Sequence, residues 1–290
     1  MISFATRPFV LPLIVSFQRV LGLAPPAARP AQPLPRTKAA AAGFVSLVGA
    51  GPGSADLITL RGLARLQAAD VVYYDRLADP ALLSQTKRTA ALIYVGKAPG
   101  CHAMPQQQIN ALLVQSAQAG QQVVRLKCGD PGVFGRGAEE AAALGAAGVD
   151  WDIVPGVTSA CAAAASAGSF LTERGKTERI VLATGHLRHD DPQDWAATAQ
   201  AGTTLACYMG VSQAGPLTRG LRPAGWPKDA LVQVISKAQT PAEQIFDCRL
   251  DGLETLCATH HGLNPAILLI RWPLGADAAQ PALLAARATA

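Results

Sequence analysis

The sequence predicts an α/β protein made of two α/β domains, each built on a mostly parallel sheet with crossover helices. Three observations carry that expectation. Short β-rich runs alternate with helical periods from Phe44 onward, as in repeated strand–helix–strand units. Aromatic residues make up only 5% of a chain rich in Ala, Gly and Val, so small side chains let helices pack closely on a buried sheet. Glycine-rich bends follow several of the strands, at the ends where ligands of open α/β sheets bind.

Phe44 to Val48 reads as the first strand. Thr59 can cap a helix whose apolar stripe is Leu60, Leu63, Ala64 and Leu66. That helix leads into a second strand from Val71 to Tyr74, and Asp75 then lies at a strand's carboxyl end. The rhythm continues with a strand at Leu92 to Val95, a helix opening at Pro105 and stopped at Gly120, and a strand from Val123 to Leu126. A helix near Glu139 and a strand at Trp151 to Val154 close the first cycle. After Pro155 come an Ala-rich helix and strands at Ile180 to Ala183, Thr204 to Tyr208, Leu231 to Ile235 and Ala266 to Arg271. The expected divisions are an extension at 1–42, domains at 43–156 and 157–274, and a peripheral tail at 275–290.

Charge narrows the function. The net charge is +5, but Arg7, Arg19, Arg29, Arg36 and Lys38 all precede residue 43, where no acidic residue occurs. The rest of the chain is neutral, which argues against a nucleic-acid binder. The apolar run from Phe9 to Phe17 is broken by Pro12 and falls far short of the ~20 residues that span a bilayer, so no membrane segment is expected. The basic start and the Pro-rich stretch from Pro25 to Pro35 read as a targeting-like segment or a disordered extension, outside the fold. The six cysteines show no Cys-x-x-Cys spacing and read as reduced thiols of a cytoplasmic protein. His186 and His189 stand three apart without further ligands, so no metal is expected.

Three bends carry the chemistry. Gly49-Ala50-Gly51-Pro52-Gly53 follows the first strand, and its glycines let a ligand approach the backbone. It is a poor dinucleotide fingerprint: the third Gly comes one residue early and Pro52 removes an N–H. Asp75, about twenty residues on, still leaves a nicotinamide cofactor open. The second bend, Cys128 to Gly137, combines a turn, an apolar wall and the cation of Arg136 ahead of Glu139 and Glu140. The third, Pro155 to Ala160, sets Thr158 and Ser159 at a helix amino terminus.

In this order, with Ala69 to Asp75, Gly96-Lys97, Ala183 to His186 and Tyr208-Met209-Gly210, the chain from about residue 44 to 273 resembles the tetrapyrrole methylases, a class III methyltransferase family. Gly135-Arg136-Gly137 with Leu171-Thr172 is similar to the branch acting on uroporphyrinogen III. The resemblance implies S-adenosylmethionine as cofactor, a small-molecule tetrapyrrole substrate and a homodimer. It implies two methylations of uroporphyrinogen III, through precorrin-1 to precorrin-2, for sirohaem or cobalamin synthesis. Cofactor contacts would fall on Pro52, Cys128, Gly129, Asp130, Val133, Thr158, Ser159, Met209 and Ala238. The catalytic positions would be Asp75, Lys97 and Arg136, and the substrate would be held by Arg136, Glu139 and Arg174. Arginine is a poor general base with a pKa above ~12, so an electrostatic role suits Arg136. Asp75 could instead cap a helix near Pro80, and Lys97 could be an exposed strand-end cation.

Four positions depart from the family's usual pattern: Cys128 and Ala238 replace glycines, Glu173 replaces a histidine, and Ala98 stands where a basic residue often follows the Lys. If residue 128 needs a left-handed backbone, Cys there costs roughly 1 kcal/mol or more. Glu173 could compete for the guanidinium of Arg174. These departures leave open a weakened paralogue that binds without efficient turnover. A methylase of a later corrinoid intermediate is a further alternative.

Overall fold

The computed structural model describes residues 43–96, 104–185 and 195–275. Ala41–Ala290 form one compact unit, within which the described strands make two five-stranded sheets. The first contains β1 (Phe44–Gly49), β2 (Val71–Tyr74), β3 (Ala91–Tyr94), β4 (Gln122–Lys127) and β5 (Asp150–Val154). Its order is β3-β2-β4-β1-β5 and every pairing is parallel. Each parallel step needs a crossover, and α1 (Leu60–Ala68), α2 (Pro80–Leu83), α3 (Gln106–Gln118) and α4 (Gly137–Ala146) lie in the four connections.

Strand periodicity assigns the two faces of this sheet. Val45, Leu47, Val71, Tyr73 and Val123 pack with Ile109, Leu113 and Ala117 of α3 and Leu144 of α4. The alternate residues Val48, Val72, Val124 and Leu126 pack with Leu66 of α1 and Leu82 of α2. Thr59 caps α1 as expected, its hydroxyl accepting from the Gly62 N–H at 3.1 Å. At the end of α3, Gly120 turns left-handed with φ +82° and its N–H returns to the Ala117 carbonyl. Asp79, not Asp75, caps α2, accepting from the Ala81 N–H at 2.8 Å. The helix-cap reading of Asp75 is thereby corrected, because the carboxylate must immediately precede Pro80 to reach that amide.

The second sheet contains β6 (Arg179–Thr184), β7 (Thr203–Tyr208), β8 (Leu231–Ser236), β9 (Gln244–Arg249) and β10 (Ala266–Trp272), in the order β6-β7-β10-β8-β9. Only β6 and β7 pair in parallel; the other three pairings are antiparallel. The α/β class stands, but the expectation of a mostly parallel ladder in this half does not. The short connection from β8 to β9 is a hairpin and cannot cross over, and β10 inserts antiparallel between β7 and β8. β9 was not legible as a strand. Nor were α6 (Ala214–Leu221), which carries Gly215, Pro216 and Gly220, and α7 (Leu253–Thr259). Tertiary packing overrides the poor helix propensity of α6, since Ala214, Leu217 and Leu221 bury against Leu205, Trp226 and Leu268.

The chain passes from one sheet to the other at Pro155-Gly156. It enters α5 (Ser159–Ser166), whose Ala160, Ala163 and Ala164 pack on Ala206, Ile235 and Leu269 of the second sheet. A Cβ on Gly156 would lie 2.3 Å from the Gly129 carbonyl oxygen and 2.8 Å from the Gly49 Cα. Both contacts are to backbone, which cannot rotate away. Among the described residues no helix is long and apolar enough to cross a membrane. Gly156→Ala should lower the unfolding free energy by roughly 1–3 kcal/mol in a denaturant titration, the usual cost of overpacking; an unchanged midpoint would contradict the close approach.

Candidate active site

The carboxyl ends of β1, β2 and β4 open onto a cleft of about 910 Å³. Its far side comes from the second sheet: Tyr208 and Met209 at the end of β7, the 237–241 loop after β8, and the start of β10. Because β10 runs antiparallel to β7 and β8, its amino end lies beside their carboxyl ends.

Backbone contacts join the bends to one another. Gly51 and Gly129 exchange N–H to carbonyl bonds of 3.3 and 3.0 Å, tying the first bend to the second. The Asp130 carboxylate accepts from the Gly132 N–H at 2.7 Å and from the Gly156 N–H at 2.9 Å, tying the second to the third. Both of its oxygens are thus engaged with backbone, and Asp130 shapes the bend. Gly53 (φ +75°) packs so closely on the 238–239 backbone that a Cβ would meet the Ala238 carbonyl oxygen at 2.4 Å. Tyr208 clamps the third bend: its hydroxyl is 2.6 Å from Thr158 Oγ1 and accepts from the Ala160 N–H at 3.1 Å. Its ring lies 4.9 Å from that of Phe134. Burial foremost pushes the Tyr208 hydroxyl above its ordinary pKa, so it remains a neutral partner here.

All nine residues named as cofactor contacts line the cleft: Pro52, Cys128, Gly129, Asp130, Val133, Thr158, Ser159, Met209 and Ala238. Five non-glycine residues among those described have left-handed backbones: Phe134, Arg136, Met209, Lys237 and Gln239. Every one of them lines the cleft. Such conformations cost on the order of 1 kcal/mol or more each and persist where surrounding structure imposes them, typically at ligand sites. Cys128 is not among them; Gly129 takes the left-handed position, with φ +71°. The strain expected at Cys128 is therefore absent. Ala238 likewise sits between two left-handed residues without being one. Burial, with the nearby Asp75 charge, pushes the Cys128 thiol up to about 12.

The floor of the cleft holds a charge network that sequence reasoning missed. Asp75 accepts from the Leu77 N–H at 3.1 Å and from Arg125 Nη2 at 3.3 Å. Arg125 also donates from Nε to Glu140 at 3.1 Å and from Nη1 to the carbonyls of Leu126 and Tyr73. Lys127 Nζ meets both Glu140 oxygens at 3.0 and 2.9 Å, and Gln106 Nε2 donates to Glu140 at 3.2 Å. Glu140 has no exposed surface, while Lys127 and Arg125 are 4% and 5% exposed. Burial first, and the Arg125 charge second, pull the Lys127 ammonium below its usual pKa, against the pull of Glu140. One signal was readable. A central strand of a parallel sheet is normally apolar throughout, and Arg125 and Lys127 interrupt β4 at period two on one face.

The other named residues divide. Asp75 and Arg136 line the cleft. Arg136 occupies the N-cap position of α4 without a side-chain cap bond, and its guanidinium forms a two-pronged pair with Glu139 at 2.8 Å on each arm, which raises its pKa. Glu139 itself does not line the cleft. Arg174 does not either: it stands exposed in a tight turn closed by reciprocal Glu173 and Thr177 backbone bonds, with Gly175 at φ +75°. Glu173 pairs with Lys176 at 2.6 Å, not with Arg174, correcting the expected competition. Lys97, Ala98, Cys101, His186 and His189 lie outside the described residues.

These residues suit a nucleoside-sized cofactor. The volume falls within the roughly 300–1,000 Å³ of small-molecule sites. The Gly129 bend exposes backbone that a side chain would cover, and Val133, Met209 and Ala238 give an apolar wall. Two outcomes test this geometry. Cys128 should be alkylated by iodoacetamide at pH 8 roughly a hundredfold more slowly than exposed Cys161, by peptide mass mapping. Tyr208→Phe should destabilise by about 1–3 kcal/mol in a denaturant titration, because the Ala160 N–H loses its acceptor.

The sequence profile of the Tetrapyrrole (Corrin/Porphyrin) Methylases matches residues 45–254. The siroheme synthase of Edwardsiella ictaluri is 42% identical over 228 residues, covering 79% of this chain and 49% of that protein. The siroheme synthase of Zymomonas mobilis is 46% identical over 229 residues, covering 79% and 48%. The chain spans about half the length of the curated relatives it matches. Among solved structures, uroporphyrin-III C-methyltransferase from Thermus thermophilus complexed with S-adenosyl homocysteine aligns at TM-score 0.68 and 34% identity, covering 79% of this chain and 92% of that one. A cobalt precorrin-4 methyltransferase of cobalamin biosynthesis aligns at TM-score 0.70 and 31% identity, covering 79% and 95%. The chain belongs to the tetrapyrrole (corrin/porphyrin) methylase family, whose methyl donor is S-adenosylmethionine.

Proposed function

We propose that this chain methylates uroporphyrinogen III at carbon, first to precorrin-1 and then to precorrin-2, for sirohaem or cobalamin synthesis. The observation that carries the reading is the carboxylate of Asp75, held by Arg125 at the floor of a cleft lined by all nine of the named cofactor contacts. The 34% identity to the uroporphyrin-III C-methyltransferase of Thermus thermophilus, against 31% to the cobalt precorrin-4 methyltransferase, supports this substrate over a later corrinoid. The proposal covers methylation alone, in a cytoplasmic homodimer with lobes at 43–156 and 157–274.

Bound S-adenosylmethionine supplies an electrophilic sulfonium methyl group. The bends formed by Pro52, Cys128 to Asp130 and Thr158, with Met209 and Ala238, hold and orient it against the acceptor carbon. Orientation and exclusion of water supply most of the acceleration. Asp75 accepts the proton that the macrocycle loses, a role suited to a carboxylate anchored on one oxygen by Arg125 and on the other by the Leu77 N–H. Lys97 is the matching candidate for returning a proton. Uroporphyrinogen carries eight carboxylates, and Arg136 grips one of them when its fork exchanges Glu139 for substrate. Arg174, outside this cleft, is retained as a substrate contact only on the family resemblance.

Purified protein incubated with uroporphyrinogen III and S-adenosylmethionine should give doubly methylated product, with any trimethylated product followed alongside it by absorbance and mass. Cofactor binding without product would favour a weakened paralogue; product only from later corrinoids would reassign the substrate. Arg136→Ala should lose at least about tenfold in kcat/KM, the effect of removing a charge-assisted contact, while S-adenosylhomocysteine affinity holds. Unchanged turnover would remove Arg136 from the site.

A further inference from the structure

Glu140 stands apart from the residues named so far. It is wholly buried, it does not line the cleft, and it accepts from three side chains that do: Arg125, Lys127 and Gln106. A buried carboxylate is costly unless it is paired and hydrogen-bonded, and here two cations and an amide meet that need. Arg125 spends its Nε on Glu140 and its Nη1 on two carbonyls, which leaves Nη2 aimed at Asp75. With the Glu140 contact removed, only the Nη1 bonds to the Leu126 and Tyr73 carbonyls hold the guanidinium, and the direction of Nη2 is set less tightly.

We infer that Glu140 is a positioning residue, acting through Arg125 to fix the Asp75 carboxylate and through Lys127 to hold a cation at the floor of the cleft. The inference rests on the proposed methylation for its kinetic consequence, but not for its geometric one. Four charged groups face one another across three segments: Asp75 after β2, Arg125 and Lys127 on β4, and Glu140 on α4, with neutral Gln106 of α3 completing the contacts. Two cations balance two carboxylates. Neutralising Glu140 leaves an excess cation, and because Glu140 now raises the Lys127 pKa, its loss lowers that pKa further.

The test is Glu140→Gln, which keeps the volume and removes the charge. Its kcat should fall at least tenfold with S-adenosylhomocysteine affinity within twofold of wild type, and the basic limb of its pH–rate profile should move to lower pH. On the pH plateau, where Lys127 stays protonated and only the Asp75 route contributes, Glu140→Gln combined with Asp75→Asn should be no slower than Asp75→Asn alone. Wild-type kcat, or losses that multiply in the double variant, would overturn the inference and leave the methylation reading intact. If wild-type protein makes no methylated product, the functional reading falls by itself. The positioning role is then decided by the Lys127 titration in ε-13C-lysine-labelled protein and by a crystal structure of Glu140→Gln: a lower Lys127 pKa with a displaced Asp75 carboxylate supports it, and an unmoved titration or carboxylate overturns it. Should Glu140→Gln fail to fold, Arg125→Lys must reproduce the kcat loss with cofactor affinity retained; wild-type kcat in that variant overturns the inference.

Discussion

Backbone meets backbone where the bends of this protein converge, and the distances at those meeting points leave no room for a Cβ. Gly49 and Gly156 approach so closely that a methyl on either would clash with main-chain atoms, and Gly51 and Gly129 bond to each other directly. The Asp130 carboxylate shapes the second bend with one oxygen, through the Gly132 N–H, and holds it to the third with the other, through the Gly156 N–H. Everything that lines the cleft depends on this junction, because Cys128, Thr158 and Met209 reach one cavity only when the loops bearing them are held in contact. Tyr208 then extends the junction to the second sheet through Thr158 and Ala160.

Below that junction the protein sets charge where a parallel sheet would ordinarily continue its apolar face. The cost of taking Arg125, Lys127 and Glu140 out of water is offset by their mutual contacts and by the two carbonyls that accept from Arg125. Low local polarity strengthens each of those contacts and equally penalises any group left without one. A carboxylate at the cleft floor, steered by a guanidinium that is itself fixed, suits a reaction in which alignment and proton removal are the enzyme's main contributions.

The departures from the family's pattern at Cys128, Ala238 and Glu173 are absorbed without the strain that residue identity alone suggests. Cys128 precedes the left-handed residue instead of occupying that conformation, so its side chain is sterically tolerated, half-buried at the cleft wall. Ala238 stands between Lys237 and Gln239, which take the left-handed conformations on either side of it. Glu173 finds its partner in Lys176, within the same exposed turn. Among the described residues, the left-handed backbones of non-glycine residues all fall on the cleft wall.

Much of the first sheet was legible because its signals are local. Alternation in Phe44 to Val48 and Val71 to Tyr74, the Thr59 cap and the glycine at 120 each act within a few residues of themselves. The second sheet was less so: β9 lacks a strong turn signal before it, and the glycines and proline of α6 speak against a helix that packing nevertheless enforces. Chain order and residue type by themselves determined that an α/β fold would gather glycine-rich bends at its strand ends and that Asp75 would lie at one of them. Only the tertiary structure decided that β10 would insert antiparallel, that Arg174 would stand outside the cleft, and that Glu140 would join Arg125 and Lys127 beneath it. Those outcomes depend on register and packing between segments far apart in the chain, where local propensity carries no information.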